Sequence, residues 1–439
     1  MIKQEDVTVE LKSKVYDKVN SCIQCGYCLP ACPTYKSMET ESASPRGRIN
    51  LVKMAAEGKI DITEDLKKPI DLCLGCRACE VACPVDVPYG SILEDAKEII
   101  KKKEDESKGK PYMKDWLLNS FFTNSKFLRL SSNLLYLYQE TGLQKMTRKA
   151  KLPEKILGNI GKMEKALPNM PSHKYRIKKG HLYKAKTPDT KLTVSLFLGC
   201  INDSLLYKIN YYSLELLRLA GCDVYIPKNQ GCCGALHAHQ GYMDTAKQLA
   251  SDNLNAFKAH DVQYIVTNAG GCGAILKEYD HLLVEKTDAD SKSKVEDFTS
   301  KIKDITEVLY ELDTLTFLKD INKVVTYQPS CHLKNVQKVD EIPEKLIKGI
   351  PGVNYVELPD KDSCCASGGV YNVVNYEESM KILSDKFQGV NYVQPDIIVT
   401  SNPGCLLQMS HGVNEFSNSK QTQSIHLVEL LAEACNLEI

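Results

Sequence analysis

The chain has 439 residues, 43% of them hydrophobic, and its 56 Lys and Arg offset 56 Asp and Glu. That is apolar material for about two to four packed domains, while a net charge of zero supplies no long-range field for nucleic acid. No window reaches the ~20 apolar residues a membrane span needs, and Met1 to Leu11 lacks the basic, apolar and small-residue regions of a signal peptide. The expectation is a cytoplasmic protein whose 18 cysteines are reduced and ligand-spaced, not a disulfide framework.

The first elements are two runs of one spacing: Cys22, Cys25, Cys28 and Cys32 before Pro33, then Cys73, Cys76, Cys79 and Cys83 before Pro84. Three thiols at every third residue let a loop-wrapped backbone present three sulfurs to one [4Fe-4S] cube, and the fourth cysteine of such a run ligates the other cube. The predicted wiring is therefore crossed, with Cys22, Cys25, Cys28 and Cys83 on one cluster and Cys73, Cys76, Cys79 and Cys32 on the second. Two structural zinc cages are the alternative, but zinc ribbons pair CxxC knuckles across a longer gap. The residues between the runs read as helix. Ser44 followed by Pro45 reads as a helix start, with Arg46 and Arg48 as partner or domain contacts.

Residues 106–190 read as a helical and basic linker. Trp116 to Tyr138, rich in Leu, Phe and Tyr, predicts one or two amphipathic helices. Between Lys145 and Lys186, thirteen Lys or Arg face two Glu, a local net of +11. A buried helical pair and a solvated connector account for both stretches. The alternative is peripheral docking on anionic lipid at the inner face of the cell membrane, or on an acidic partner.

Beyond the linker the pattern turns to alternating β and α and repeats. TVSLFLGC ends at Cys200 and KVVTYQPSC at Cys331; Cys232-Cys233 and Cys364-Cys365 each follow a strand and a turn; YIVTNAGGC reaches Cys272 and DIIVTSNPGC reaches Cys405. The offsets between copies are 131, 132 and 133 residues, which marks a duplicated α/β unit, 191–320 and 321–439. The cysteines fall at the carboxyl ends of predicted strands, where open α/β sheets gather binding loops. Two sites follow: Cys200, Cys232, Cys233 and Cys272, then Cys331, Cys364, Cys365 and Cys405, each for an iron-sulfur cluster or zinc. His332 is a weaker candidate ligand. Cys222 and Cys435 fall outside the repeat and are expected to be packing residues.

These motifs resemble a known family. The Cys232-Cys233-Gly234 signature is similar to the cysteine-rich CCG domains of heterodisulfide reductase and related redox subunits. Two such domains behind a helical two-cluster ferredoxin domain (1–105), with Ser44-Pro45-Arg46-Gly47-Arg48 and Cys73-Leu-Gly-Cys76-Arg77-Ala-Cys79-Glu80, resemble the iron-sulfur subunit of glycolate oxidase. The resemblance runs from about residue 18 to the carboxyl end. It implies an electron-transfer subunit of an oxidoreductase complex, with no catalytic residue of its own, serving an FAD-binding partner that oxidises a 2-hydroxy acid and a downstream acceptor such as quinone. Subunits of lactate utilisation and of anaerobic glycerol-phosphate dehydrogenase share parts of the plan. In heterodisulfide reductase each CCG motif ends in CxxC and builds a five-cysteine noncubane cluster; here Ala269 and Asn402 stand at the earlier position of that pair, and Ala366 replaces the second motif's glycine. That favours relay over catalytic disulfide reduction. There is no GxGxxG or Walker lysine loop, so the flavin is expected on another chain.

Overall fold

The computed structural model describes residues 4–107, 113–258, 260–283 and 289–437. They form two compact units. The first comprises residues 1–120, 234–246 and 366–382; the second comprises 121–233, 247–365 and 383–439.

In the first unit, α1 (Gln4–Asn20) buries Val7, Leu11, Val15 and Val19, one residue per turn of a single face. Helix α2 (Pro45–Ala56) starts as its sequence predicts, with Pro45 in the first turn and the Ser44 hydroxyl accepting the Gly47 N–H at 2.9 Å. Gly47 has no room for a side chain, since a Cβ there would lie 2.0 Å from the Glu41 carbonyl oxygen. Helix α3 (Tyr89–Ser107) adds Ile92, Leu93, Ala96, Ile99 and Ile100 to a core shared by all three helices. Both cysteine runs lie on this core, with Cys79 inside it and Cys22, Cys28, Cys73 and Cys83 packed against it.

The same unit takes in the residues that follow each CysCys pair. Lys97 Nζ donates to the His239 carbonyl at 2.7 Å, Glu94 meets His239 at 3.1 Å, and Asn375 donates to the Asp71 carbonyl at 3.0 Å. Lys381 also donates to the Ser37 carbonyl.

The second unit opens with α4 (Ser125–Glu140), capped by the Asn124 side chain. It departs from the expected buried pair and solvated connector. One face of α4 is held down, with Ser132 Oγ donating to the Ser204 carbonyl at 2.6 Å and accepting from Arg176 at 2.8 Å, while Phe127, Leu130, Leu134 and Leu137 are exposed on the other. The basic stretch is likewise tied down in places: Arg148 pairs with Glu164 at 2.7 Å and Lys179 with Asp203 at 3.0 Å.

Two sheets follow. The first runs β1 (His181–Tyr183), β3 (Cys222–Ile226), β2 (Leu192–Phe197), β4 (Tyr264–Thr267), β5 (Ile302–Asp304), parallel except for β1 at its edge. The second, β7 (Val353–Tyr355), β6 (Lys323–Gln328), β8 (Ile397–Thr400), β9 (Gln423–His426), repeats the same parallel order. Val194 pairs with Val224 and Tyr264, and Val325 with Tyr355 and Ile397, so the central strands match in register. The helices repeat as well: α5 (Tyr207–Leu219) packs in the first copy, and α6 (Met243–Phe257) and α7 (Gly270–Lys277) correspond to α9 (Tyr376–Val393) and α10 (Pro403–Phe416). Each copy's last strand ends in a residue that caps the next helix with a capping box, Asp304 for α8 (Ile305–Leu312) and His426 for α11 (Leu427–Ala434). A single hydrophobic core runs through both sheets, from Val194 and Leu196 to Val325, Val399 and Leu431, and it includes Cys222 and Cys435. Burial pushes those two thiols up to about 12 and about 11, as expected of packing cysteines.

Candidate metal centres

In the first unit each cysteine run is wound by the same backbone device. Gln24 and Gly26 have φ of 56° and 86°, and Gly75 and Arg77, at the same places in the second run, have 64° and 58°. A left-handed residue two and four positions after the first cysteine curls the chain into a tight loop that carries thiols three residues apart. Sequence spacing suggests a wrapped loop; it does not show that Gln24 and Arg77 carry the strain.

Cys22, Cys25, Cys28 and Cys83 all line one partly open cavity, with Cys79, Ile49, Val87 and Tyr89 also in its wall. These are the four thiols of the crossed wiring for one cube, drawn from both runs. Donors are already aimed at sulfur: Gln24 Nε2 at Cys22 (3.4 Å), the Val87 N–H at Cys83 (3.5 Å), and both the Gly75 N–H and the Tyr89 hydroxyl at Cys73 (3.4 Å each). Hydrogen bonds to sulfur are one of the levers that set a cluster's potential.

Arg46 and Arg48 make contacts within their own unit. Arg46 forms a fork with Glu41 at 2.7 and 3.2 Å and donates to the Gln24 carbonyl at 3.3 Å, beside the Cys22–Cys28 loop. Arg48 is buried, 1% exposed, and its hydrogen bonds go to neutral acceptors: Thr34 Oγ1 (3.1 Å from each terminal nitrogen), the Pro69 carbonyl (2.7 Å) and the Leu72 carbonyl (3.2 Å). Burial works against its charge, yet Cys73, Tyr89 and Cys32 hold its pKa above the ordinary arginine value. An anionic cluster on Cys73 and Cys32 suits such a cation, since a buried charge without a counter-charge is costly. The clue in the sequence is position: Arg48 lies four residues before Val52 and seven before Ala55, on the buried face of α2.

In the second unit the repeated cysteines come together copy by copy. Cys200 opens a short helix after β2, Cys232-Cys233 lie beyond β3, and Cys272 is in the first turn of α7 after β4. Cys233 and Cys272 sulfurs are 3.3 Å apart, and Cys200 is hydrogen-bonded to Cys232. In the second copy Cys331 is hydrogen-bonded to Cys364, and Cys365 contacts Cys364 and Cys405. Both sites sit where the chain departs to opposite sides of a central strand, the usual ligand position of an open parallel sheet.

Contact with Cys232 and then burial push the Cys200 thiol well above its ordinary value. The same pair of causes raises Cys331, through Cys364. Cys200, Cys233, Cys331 and Cys365 thus resist becoming thiolates unless a cation offsets them, which is the donor chemistry of a metal site. Among the described residues no three Cys, His, Asp or Glu side chains converge on a point able to hold a single ion.

The turn after each pair is left-handed. Gly234 has φ of 87°, and Ala366, where the motif loses its glycine, is held at 66°. The missing fifth cysteines also have defined surroundings. Ala269 is buried, and Asn402 bridges the two copies, its Oδ1 accepting the Gly271 N–H at 3.1 Å and its Nδ2 directed at Cys405 Sγ at 3.7 Å. His332 approaches Cys331 through its backbone N–H.

Comparison with known proteins agrees with this arrangement. The chain matches a 4Fe-4S dicluster domain over residues 18–87, a linker region of the glycolate oxidase iron-sulfur subunit over 109–167, and the cysteine-rich domain twice, over 194–277 and 325–410. It is 43% identical over 417 residues to a probable glycolate oxidase iron-sulfur subunit of Bacillus subtilis, covering 94% of this chain and 93% of that protein. The chain belongs to the glycolate oxidase iron-sulfur subunit family. A second relative, the glycolate oxidase iron-sulfur subunit of Escherichia coli, is 28% identical over 96% of this chain and 95% of its own length. Lactate utilization protein A of Oceanobacillus iheyensis is 33% identical over 55% of this chain and 96% of itself. As a member of this family the chain is an iron-sulfur protein with two [4Fe-4S] clusters in its dicluster domain, and among the described residues no helix is long and apolar enough to cross a membrane.

Proposed function

We propose that this chain is the electron-transfer subunit of a flavin-dependent 2-hydroxy-acid dehydrogenase, with glycolate oxidation to glyoxylate as the reaction of the complex. An FAD-binding partner removes the electrons from substrate, and the clusters here carry them to a downstream acceptor, a quinone. The observation that carries this reading is the cavity lined by Cys22, Cys25, Cys28 and Cys83, thiols from two separate runs facing one space. The ligand sets are Cys22, Cys25, Cys28 and Cys83 for one cube and Cys73, Cys76, Cys79 and Cys32 for the other. Cys200, Cys232, Cys233 and Cys272, and Cys331, Cys364, Cys365 and Cys405, hold the centres of two CCG domains, 191–320 and 321–439, joined by residues 106–190 to a cluster module at 1–105. A relay needs one-electron centres with tuned potentials and no general acid or base on this chain.

The relative named for lactate utilisation makes lactate the second candidate substrate. Loss of the fifth cysteine at Ala269 and Asn402 weighs against a heterodisulfide-reductase chemistry. Peripheral attachment to an anionic inner membrane surface is supported by the exposed row Phe127, Leu130, Leu134 and Leu137 beside Lys126 and Arg129.

Copurification from the native cell under anaerobic conditions tests the whole reading. It should return a flavoprotein, at least about eight irons per chain from two four-iron cubes, and glycolate oxidation that the isolated chain lacks. Glycolate or lactate oxidation by the chain alone would overturn the relay assignment, and zinc with little acid-labile sulfide would overturn the clusters. Release of the complex from membranes by high salt is expected; absence from the membrane fraction removes the lipid attachment.

A further inference from the structure

The two CCG copies match closely enough that a difference between them stands out. Helices α6 and α9 start 133 residues apart, and their buried positions correspond: Ala246 to Ser379, Ala250 to Leu383, Asn253 to Lys386. In the first copy Asn253 is a neutral bridge. Its Oδ1 accepts the Gly231 N–H at 3.0 Å, and its Nδ2 donates to the Cys232 carbonyl at 2.8 Å and the Tyr279 hydroxyl at 3.1 Å.

In the second copy the same place holds a lysine whose side chain is 0% exposed. Lys386 Nζ donates to the Asp360 carbonyl at 2.6 Å, and that carbonyl also accepts the Ser363 N–H at 2.9 Å, so the ammonium fastens the turn leading into Cys364. Asp360 Oδ1 is 3.5 Å away and buried, although its side chain as a whole is 35% exposed, so the lysine has one carboxylate oxygen beside it as well as the sulfurs. Burial draws Lys386 below the ordinary lysine value, and Asp360, Cys365 and Cys364 pull the other way, which sets its charge beside those sulfurs. The tyrosine that steadies the first site also has no counterpart. Tyr279 donates to the Cys233 carbonyl at 2.8 Å, whereas 133 residues on stands Gly412, against which the Phe387 ring packs so closely that a Cβ would lie 2.1 Å from it.

We infer that Lys386 makes the two CCG sites inequivalent, its buried ammonium compensating an anionic metal-thiolate centre on Cys331, Cys364, Cys365 and Cys405, where the first site has the neutral Asn253 at the corresponding place. Lys386 is a positioning and tuning residue, acting through the cysteines. A positive neighbour favours the more negative, reduced state, so an iron-sulfur centre at the second site takes the higher potential and stands later in the electron path. The inference rests on the reading that the second CCG site carries a metal centre.

The test compares the full chain, purified anaerobically, with Lys386→Met, which keeps the aliphatic stem, and Lys386→Arg, which keeps the charge. Iron, sulfide and zinc are measured on each, with redox-poised spectra for iron-sulfur and chelator release rates for zinc. For an iron-sulfur centre, Lys386→Met should make reduction about tenfold less favourable, ~59 mV for one electron, at one centre while the others stay in place. For zinc, release should be about tenfold or more faster, the cost of losing a supporting group around a metal. Lys386→Arg should stay near the parent in either case. Unchanged potentials and release rates in Lys386→Met, or equal changes in both variants, overturn the inference alone. A parent chain with no metal beyond the irons of the two cubes overturns the metal reading of the site, and the inference with it.

Discussion

Replacing Arg48 with Gln should lower the potential of one cluster in the amino-terminal unit and leave the other in place. Two hydrogen bonds, of 3.1 and 3.2 Å, run from the guanidinium through Thr34 Oγ1 to Cys32 Sγ, so the positive charge lies within about 6 Å of a proposed ligand. At an effective dielectric of ~20, a unit charge at ~6 Å is worth roughly 3 kcal/mol to an added electron, or about 100 mV. Removing it should move the cluster on Cys73, Cys76, Cys79 and Cys32 to more negative potential by tens of millivolts up to that figure. The Gln side chain spares part of the hydrogen bonding, but the Pro69 and Leu72 carbonyls both lose a charged donor, at about 1–3 kcal/mol for each buried group left unmet. Arg48→Lys separates the effects, since it keeps the charge and loses the fork. The assay is a redox titration followed by electron paramagnetic resonance on anaerobic protein, with Cys76→Ser identifying the affected cluster. An Arg48→Gln protein with both clusters intact and neither potential moved would refute the electrostatic argument, and a shift in the other cluster would refute the placement.

Crossed ligation predicts that Cys83→Ser disturbs the same cluster spectrum as Cys25→Ser, and Cys32→Ser the same one as Cys76→Ser; the reverse pairing would mean each run holds its own cube. Ala366→Gly should raise the thermal midpoint, since an alanine held at φ of 66° carries about 1 kcal/mol of strain that glycine avoids; a lower midpoint would mean its methyl contributes more than the strain costs. The two corresponding caps titrate in opposite senses, because burial pushes Asp304 up to about 6 and His426 down to about 4, from ordinary values of 3.8 and 6.5. Asp304 therefore gives stability that is full below its unfolded value and lost as pH rises through about 6, while His426 gives stability that is full above its unfolded value and lost as pH falls through about 4. Each is worth about 3 kcal/mol at ~1.4 kcal/mol per unit, and the two slopes oppose. Thermal midpoints between about pH 5 and pH 6.5 should fall more steeply with acid in Asp304→Asn than in the parent, and less steeply in His426→Asn; parallel curves for all three would exclude both shifts.

The ligand grammar was legible because three of the four ligands to each cube sit at fixed spacing in one run, and the duplication was legible because three cysteine landmarks recur at nearly constant offset. Strand ends at Cys200, Cys331, Cys272 and Cys405 follow from the same apolar runs. What lay beyond the sequence depends on burial, which a local pattern does not encode. Arg48 reads as a partner or domain contact, Asn402 as a lost cysteine, and nothing local marks Lys386, until packing places the first against Thr34, the second between Gly271 and Cys405 and the third against Asp360. Nor does any local signal announce that residues 234–246 and 366–382 join the ferredoxin helices, since the bonds that hold them, from Lys97 to His239 and from Asn375 to Asp71, connect positions 142 and 304 residues apart. The open face of α4 failed for a related reason: Leu130 and Leu134 have the composition of a buried helix, and only the anchoring of Ser132 shows which side is covered.

The placement of charge implies that metal loading stabilises the two units unequally. In the first, the cysteines belong to the core itself, with Cys79 inside it and four others packed against it, and Arg48 is buried among neutral acceptors. Remove the clusters and the thiols can take up protons, but Arg48 keeps its charge and loses the anion that balances it, so the cost falls on the fold. In the second unit, the continuous core through both sheets contains Cys222 and Cys435 but none of the repeated cysteines. Its buried apolar surface remains when the metal goes, and Lys386, unlike Arg48, keeps a carboxylate oxygen 3.5 Å away, that of Asp360. Stripping iron anaerobically with a chelator should therefore collapse amide hydrogen-exchange protection in α1, α2 and α3, while β2, β4, β6 and β8 stay protected. Equal loss in both sets would mean that the CCG metal centres, and not the sheets' own packing, hold the second unit together.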